Sequence, residues 1–363
     1  MTSRVFNFGA GPAMLPIPVM KKVQEELLNF NGLGVSIVEL SHRSKDFQNL
    51  VDETNALFRK LTNLPDNYKV LYMHGGAQMQ FSAVPLNLIG RSPGKKALYV
   101  ETGNFAKQAH KEAARYGDIN VVASGAETNF DRIPELDAAT LDKDAAYLHI
   151  TSNNTIYGTC WRALPETGDL PLVIDATSDI LSRVVDYSKV GIMYASLQKN
   201  LGPSGVAMVV IREDLMGHEL PETPKLLSYK TAADNNSLTN TVSTFAIYVV
   251  KLVLEWLEEQ GGVAAIEENN KKKAARLYDV VDRSSFYKGA AHPDHRSIMN
   301  VPFHLPSDEL TAKFLKEALD HGLYALKGHR AIGGIRASIY NPMPMEGIES
   351  LASFMKEFEK GNG

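Results

Sequence analysis

The sequence predicts an α/β protein, with a large unit on a mainly parallel sheet of seven strands and a smaller C-terminal α/β unit. Three observations predict it. From Val70 onward, apolar runs of strand length at 69–73, 97–100, 119–123, 146–150, 171–175, 190–195 and 206–211 alternate early on with helical segments such as 104–116. Strand–helix alternation of this kind covers both faces of a parallel sheet. A length of 363 residues favours about two domains. Finally, Gly261-Gly262 separates two long helical segments. The expected division is 17–262 for the large unit, and 263–363 with the N-terminal 1–16 for the small one.

The chain opens on Asn7 to Ala13, a Gly/Pro segment unsuited to regular structure. Pro18 suits a helix's first turn, and Val19, Val23, Leu27 and Phe30 carry the helical spacing as far as Asn31-Gly32. The basic loop Ser41 to Lys45 precedes an amphipathic helix with Phe47, Leu50, Val51, Leu57, Phe58 and Leu61 on one face. Beyond Ile211 a polar stretch spans 220–241, and its length marks it as a functional loop or a disordered one. Helices are expected over 243–260 and on to about 282. A strand at 298–305, a helix at 308–321, a strand around 335–340 and a closing helix at 345–360 make the smaller unit.

Hydrophobic residues at 44% and charged residues at 22% are ordinary globular values, and no apolar run approaches a membrane span. The formal charge of −4 argues against nucleic-acid binding, so a site for an anionic ligand has to be a local basic cluster. The single cysteine, Cys160, excludes an intrachain disulfide and fits a reducing compartment. Met1 to Phe6 lacks the apolar core of a signal peptide, so a cytoplasmic protein is expected.

In open α/β sheets ligands bind at the carboxyl ends of strands, and that rule directs attention to four places. The run 190–195 stops at a polar cluster holding Lys199, before the returning strand at 206–211. Leu172-Val173-Ile174 ends in Asp175. A lysine and an aspartate at buried strand ends could hold and polarise a cofactor. His74-Gly75-Gly76-Ala77, between a strand and a helix, could bring N–H groups onto a phosphate, although a Gly-Gly pair alone is more often a tight turn. Phe105 and the hydroxyl and amide run Thr151 to Thr155 follow two other strands, where core packing and turn formation are the plainer readings.

Taken together, these segments resemble the phosphoserine aminotransferases, pyridoxal-phosphate enzymes of fold type I, class V. The resemblance spans nearly the whole chain. It rests on Phe8 to Pro16; Ser41-His42-Arg43-Ser44; His74-Gly75-Gly76; the Asp175 strand; Gln198 to Pro203; and Gly328-His329-Arg330 with Gly333 to Asn341.

The resemblance implies a role for each of these positions. Lys199 is similar to the Schiff-base lysine that moves the proton between the substrate and the cofactor, and Asp175 to the carboxylate that pairs with the pyridine nitrogen. Gly76, Ala77 and Gln198 would bind the cofactor phosphate, Thr155 would bond near the phosphate and ring hydroxyl, and Phe105 would stack on the ring. Asn240 and Thr241 would come from the neighbouring subunit of a homodimer, which would give the 220–241 stretch a purpose. Arg336 would pair with the substrate α-carboxylate. His329 and Arg330, with His42 and Arg43 from the second subunit, would hold the substrate phosphate or the distal carboxylate of glutamate. The implied reaction is a ping-pong exchange between L-glutamate and 3-phosphohydroxypyruvate, giving O-phospho-L-serine and 2-oxoglutarate in serine biosynthesis. No metal, nucleic acid or membrane is implied.

This sequence departs from the family pattern in places. Phe105 stands where many members have tryptophan, and Ala10 and Ala77 stand where some have serine and arginine, so the anion has to be held by the remaining His-Arg pairs. Among alternatives, an alanine–glyoxylate or serine–glyoxylate aminotransferase would share Lys199 and Asp175 but would not need two such pairs. Cys160, in a Thr-Cys-Trp segment, makes a poor desulfurase cysteine. A cofactor-free binding module is disfavoured by the presence of both the lysine and the aspartate.

Overall fold

The computed structural model describes residues 4–363; Met1, Thr2 and Ser3, part of the stretch read as lacking a signal peptide, lie outside the described residues. The seven strands are β1 (Tyr68–His74), β2 (Lys96–Glu101), β3 (Asp118–Ser124), β4 (Leu148–Thr151), β5 (Leu172–Asp175), β6 (Ile192–Ser196) and β7 (Val206–Arg212). They form one sheet in the order β1-β7-β6-β5-β4-β2-β3. Pairing is parallel except at β7, which runs antiparallel to both neighbours. A turn of about ten residues cannot provide the crossover that a parallel return needs, so the Lys199 segment is a corner between two antiparallel strands.

Apart from the edge strand β3, where no residue is fully buried, the side chains of the strands alternate between two apolar layers. Val70, Tyr72, Leu98, Val100, Ile174 and Met208 pack with helices α1 (Ile17–Glu26), α2 (Lys45–Thr62) and α6 (Thr244–Glu259). Leu71, Met73, Tyr99, Val173, Tyr194 and Val209 pack with α3 (Gly76–Leu88), α4 (Asn104–Ala113) and the short α5 (Tyr229–Asp234). Away from the β3 edge both faces of the sheet are dry, and chemistry is left to the strand ends. Helix starts carry their signals: Ser44 accepts from the Phe47 N–H and Ser243 from the Ala246 N–H.

Two expectations need correction. The first helix ends at Glu26 and does not reach Phe30. Leu28 is 84% exposed, and the Phe30 N–H turns back to the Val35 carbonyl, setting the Phe30 ring edge-on to Tyr248 at 5.4 Å. The apolar spacing here reflects a fold-back rather than a helix face. The 220–241 stretch is not all loop. Ser228 caps α5 by accepting from the Thr231 N–H, and Tyr229 and Ala232 are buried against the sheet. At six residues, α5 is too short for periodicity to reveal it.

A second apolar core gathers Phe286, Phe303, Phe314, Phe354 and Phe358 with Phe8 and Met14 from the N-terminal segment. It is built on α7 (Gly262–Arg283), α8 (Asp308–Asp320), α9 (Met345–Asn362) and two paired antiparallel strands, β8 (Asn300–His304) and β9 (Ile335–Ser338). The first turns of α7 belong elsewhere, since Val263 and Ile266 pack in the large core. Among the described residues no helix is long and apolar enough to cross a membrane.

Candidate active site

A cavity of ≈ 320 Å³ opens where the carboxyl ends of β1, β4, β5 and β6 meet, and it is lined by Gly76, Ala77, Phe105, Thr155, Asp175, Gln198 and Lys199. Strand geometry explains the company. In parallel neighbours the carboxyl ends fall at one edge, and β7, running the other way, starts there, so the Gly75 N–H reaches the Gly205 carbonyl at 3.0 Å.

At the end of β1 the backbone turns through left-handed conformations at Gly75 (φ 84) and Gly76 (φ 65), and α3 begins at once. A side chain at Gly76 would be strained, and its Cβ would lie 2.7 Å from Ser196 Oγ. Glycine therefore lets the unpaired N–H groups of the α3 N-terminus face the cavity, a cradle for an anion. Ser196 Oγ in turn hydrogen-bonds to Gln198 Oε1, fixing that amide at the cavity wall.

Lys199 is only 8% exposed, and its Nζ donates to Thr155 Oγ1 at 2.6 Å. Burial pushes the amine down to about 8; Arg336 acts in the same direction, while Asp175 and Asp179 oppose it. Its Nζ also stands 5.7 Å from the centre of the Phe105 ring. Phe105 packs against the sheet's second apolar layer as well, so it serves the core and the cavity wall together. Asp175 is buried at the end of β5. Burial raises its pKa, opposed by the Thr177 hydroxyl and N–H and by Lys199, and the Thr177 N–H donates to Oδ1 at 3.0 Å.

Arg336, on β9, is half-buried, its Nε has no hydrogen-bond partner, and burial depresses its pKa. His329 is lowered by burial and by the nearby charges of Arg336 and Arg330, and the charge of Arg336 also acts on Lys199. Arg336, His329, Arg330, His42, Arg43, Asn240 and Thr241 do not line the cavity of their own chain. His42 is buried with an unpartnered Nε2, whereas Arg43 and Arg330 are exposed.

The structure adds residues that the sequence reading either left as turn formers, Thr151 and Asn153, or did not single out. Thr151, Asn153, Thr177, Ser178 and Ser196 line the same cavity, and the Thr151 hydroxyl is buried without a partner. Their signal was their place, at or just past a strand end, but hydroxyls and amides there also make ordinary turns.

A buried lysine and carboxylate at strand ends, facing a helix N-terminus across one cavity, define a pyridoxal-phosphate transferase, and a family model described as aminotransferase class-V matches residues 5–351. The chain belongs, within that class, to the phosphoserine aminotransferase family. It is 50% identical over 359 residues to a phosphoserine aminotransferase of Bacillus cereus, covering 99% of both chains. It is 51% identical over 357 residues to one of Listeria monocytogenes, covering 98% of this chain and 96% of that one. The solved phosphoserine aminotransferase of Bacillus circulans subsp. alkalophilus superposes with a TM-score of 0.96 at 44% identity over 99% of each chain. The pyridoxal-phosphate-bound enzyme from Trichomonas vaginalis gives 0.92 at 36% identity, over 97% of this chain and all of that one.

The residues present fit this cofactor. The α3 cradle suits its phosphate, the buried Asp175 its ring nitrogen, the depressed amine of Lys199 its aldehyde, and the unpartnered Thr151 hydroxyl leaves a hydrogen bond to be made inside the cavity.

Proposed function

We propose that this chain transfers an amino group from L-glutamate to 3-phosphohydroxypyruvate, giving O-phospho-L-serine and 2-oxoglutarate, with pyridoxal phosphate held by Gly76, Ala77, Phe105, Thr155, Asp175, Gln198 and Lys199. The observation that carries the reading is the placing of Asp175 and Lys199 at one cavity, opposite the α3 N-terminus. When bound, the cofactor supplies a carbonyl for the amino group and a ring that takes up the electrons of the substrate Cα–H bond. Lys199 Nζ takes and returns the Cα proton, which requires an amine that is neutral near the working pH. Asp175 keeps a proton on the ring nitrogen. Thr155 orients the amine, and Arg336 binds the α-carboxylate through paired N–H groups.

The same reading gives the phosphate and the distal carboxylate of glutamate to His329 and Arg330, with His42 and Arg43 from a second copy of the chain, which would also supply Asn240 and Thr241. Two features support a homodimer. The stretch that leads into His42 and Arg43 leaves Leu28 84% and Val38 58% exposed, with Met20, Leu33 and Val35 also exposed, an apolar surface that a second copy would cover. The buried Nε2 of His42 lacks a partner within its own chain. A large unit over 17–262 and a small one over 263–363 with 1–16 belong to this proposal. The packing of Phe8 and Met14 in the second core supports it, while Val263 and Ile266 argue that the exchange point lies within α7. A cytoplasmic location is part of the same proposal, supported by the lone buried cysteine, Cys160.

The test is selective. Phosphoserine carries about −1.5 to −2 charges on its phosphate, and each lost charge-assisted contact costs about 2 kcal/mol, roughly 30-fold. Arg43→Ala and Arg330→Ala should each raise the KM for phosphoserine by roughly that factor, while the half-reaction with alanine is little changed. Equal losses for both substrates would remove the assignment.

The depressed amine predicts a pH dependence. Only the neutral form of Lys199 attacks an aldehyde. With its pKa lowered to about 8, capture of pyridoxal phosphate by the apoprotein should accelerate about ten-fold per pH unit below that value and level off above it. Stopped-flow absorbance measures this, and a rate still climbing from pH 8.5 to 10 would show that burial does not hold the amine down.

A further inference from the structure

The N-terminal segment is tied down along its length. The Phe8 N–H donates to the Tyr324 carbonyl at 2.9 Å, and the Phe8 carbonyl accepts from the Ser338 N–H at 3.1 Å. The segment then passes over the lysine. A Cβ at Gly11, where φ is +135°, would lie 3.3 Å from Lys199 Cγ and 3.4 Å from Gln198 Cγ, and two residues on, the Ala13 N–H donates to the Gln198 carbonyl at 2.8 Å. Between these anchors the Ala10 carbonyl accepts from the Tyr340 hydroxyl at 2.9 Å. That hydroxyl also receives the Asn300 amide at 3.3 Å.

Tyr340 is itself held rigidly. Lys273, fully buried on α7, donates Nζ to the carbonyls of Ile339 at 3.1 Å, Tyr340 at 2.9 Å and Asn341 at 3.4 Å. The next residue grips the lysine's other flank, since the Asn341 N–H donates to Asn200 Oδ1 at 3.0 Å. Lys199 is thus clasped through Gln198 by the N-terminal strap and through Asn200 by Asn341. Both ties converge on Tyr340 and Asn341, two and three residues beyond the strand that bears Arg336.

We propose that Tyr340 is a positioning residue for the reaction: its hydroxyl holds the N-terminal strap across Lys199, so that the strand binding the substrate carboxylate and the reacting amine move as one body. The proposal rests on the transaminase reading above and goes beyond it. Burial raises the Tyr340 pKa to about 12, so the hydroxyl keeps its proton and remains a donor at working pH. The strap also keeps water from the aliphatic stem of Lys199, which sustains the desolvation that lowers the amine's proton affinity.

The experiment compares the wild-type, Tyr340→Phe and Gly11→Ala holoenzymes. Tyr340→Phe keeps the ring and removes the bond to Ala10 together with the one from Asn300, whereas Gly11→Ala lifts the strap alone by placing a methyl on the lysine stem. Both should lower kcat about ten-fold, the order expected from one buried hydrogen bond, with the KM for glutamate held within two-fold because Arg336 is untouched. In both, the pH at which the holoenzyme's visible absorption is half-changed should rise by about half a unit, as water returns to the Lys199 nitrogen, joined there to the cofactor, and favours its protonated form. If either folded variant matches the wild type in kcat and in that midpoint, the proposal is overturned. A raised KM with unchanged kcat overturns it too, by assigning Tyr340 to substrate binding alone. Should Tyr340→Phe fail to fold, Gly11→Ala decides the matter. A wild-type protein that takes up no pyridoxal phosphate would instead defeat the transaminase reading.

Discussion

Lys199→Ala is expected to reduce kcat by at least about 10⁴-fold, the upper range for losing a positioned acid–base group, and to abolish the long-wavelength absorbance of the bound cofactor. The effect is large because no other amine stands ready. The other lysine with a strongly depressed pKa, Lys273, is fully buried on α7 and occupied by three carbonyls. Stability should not fall with activity, since removing an amine that is 8% exposed relieves a desolvation cost that offsets the loss of the donor to Thr155 and of the charge facing Asp175. A variant with unchanged Tm and residual cofactor binding through the α3 cradle, but without turnover, is the expected result. Turnover within a hundred-fold of wild type would place the proton transfer elsewhere.

Asp175→Asn should cost about 10³ in kcat, comparable to losing a preorganised electrostatic partner, with cofactor retained. The amide fits the same space and still accepts the Thr177 N–H, but it cannot match a protonated ring nitrogen with a negative charge. A second readout follows from the sign of the coupling. Asp175 raises the Lys199 pKa against burial, so its neutralisation should shift the midpoint of cofactor capture below pH 8. A variant with reduced kcat but a midpoint at or above the wild-type value would contradict the pairing of the two groups.

Much of this arrangement was legible because strands announce themselves. Six of the seven runs of the large sheet are buried between two layers, and their ends carry Asp175, Lys199 and the Gly75-Gly76 turn. Even the antiparallel return of β7 follows from the short corner that holds Lys199. Legibility failed where local pattern and tertiary contact diverge. Leu27 and Phe30 sit at helical spacing yet lie outside α1, Leu27 exposed and Phe30 buried by the fold-back, and α5 hides in a polar stretch because only Tyr229 and Ala232 anchor it.

Within the site, Thr151, Asn153 and Ser178 look like turn residues until the strand ends are brought together. The bond between Tyr340 and Ala10 joins residues 330 apart in the chain and has no local signal at all. His42, Arg43, Asn240 and Thr241 lie off the cavity of their own chain, so their roles rested on the family resemblance and the packing of a single copy does not supply them.

The central claim is that one cavity reads both an α-amino acid and a phosphate. It is tested most directly by following the visible spectrum of the holoenzyme in single turnovers. Stoichiometric O-phospho-L-serine should bleach the cofactor band, and 2-oxoglutarate should restore it, while equal L-serine leaves it unchanged over the same time. A protein that takes up no pyridoxal phosphate, or one whose band L-serine bleaches as fast as phosphoserine does, would contradict the account.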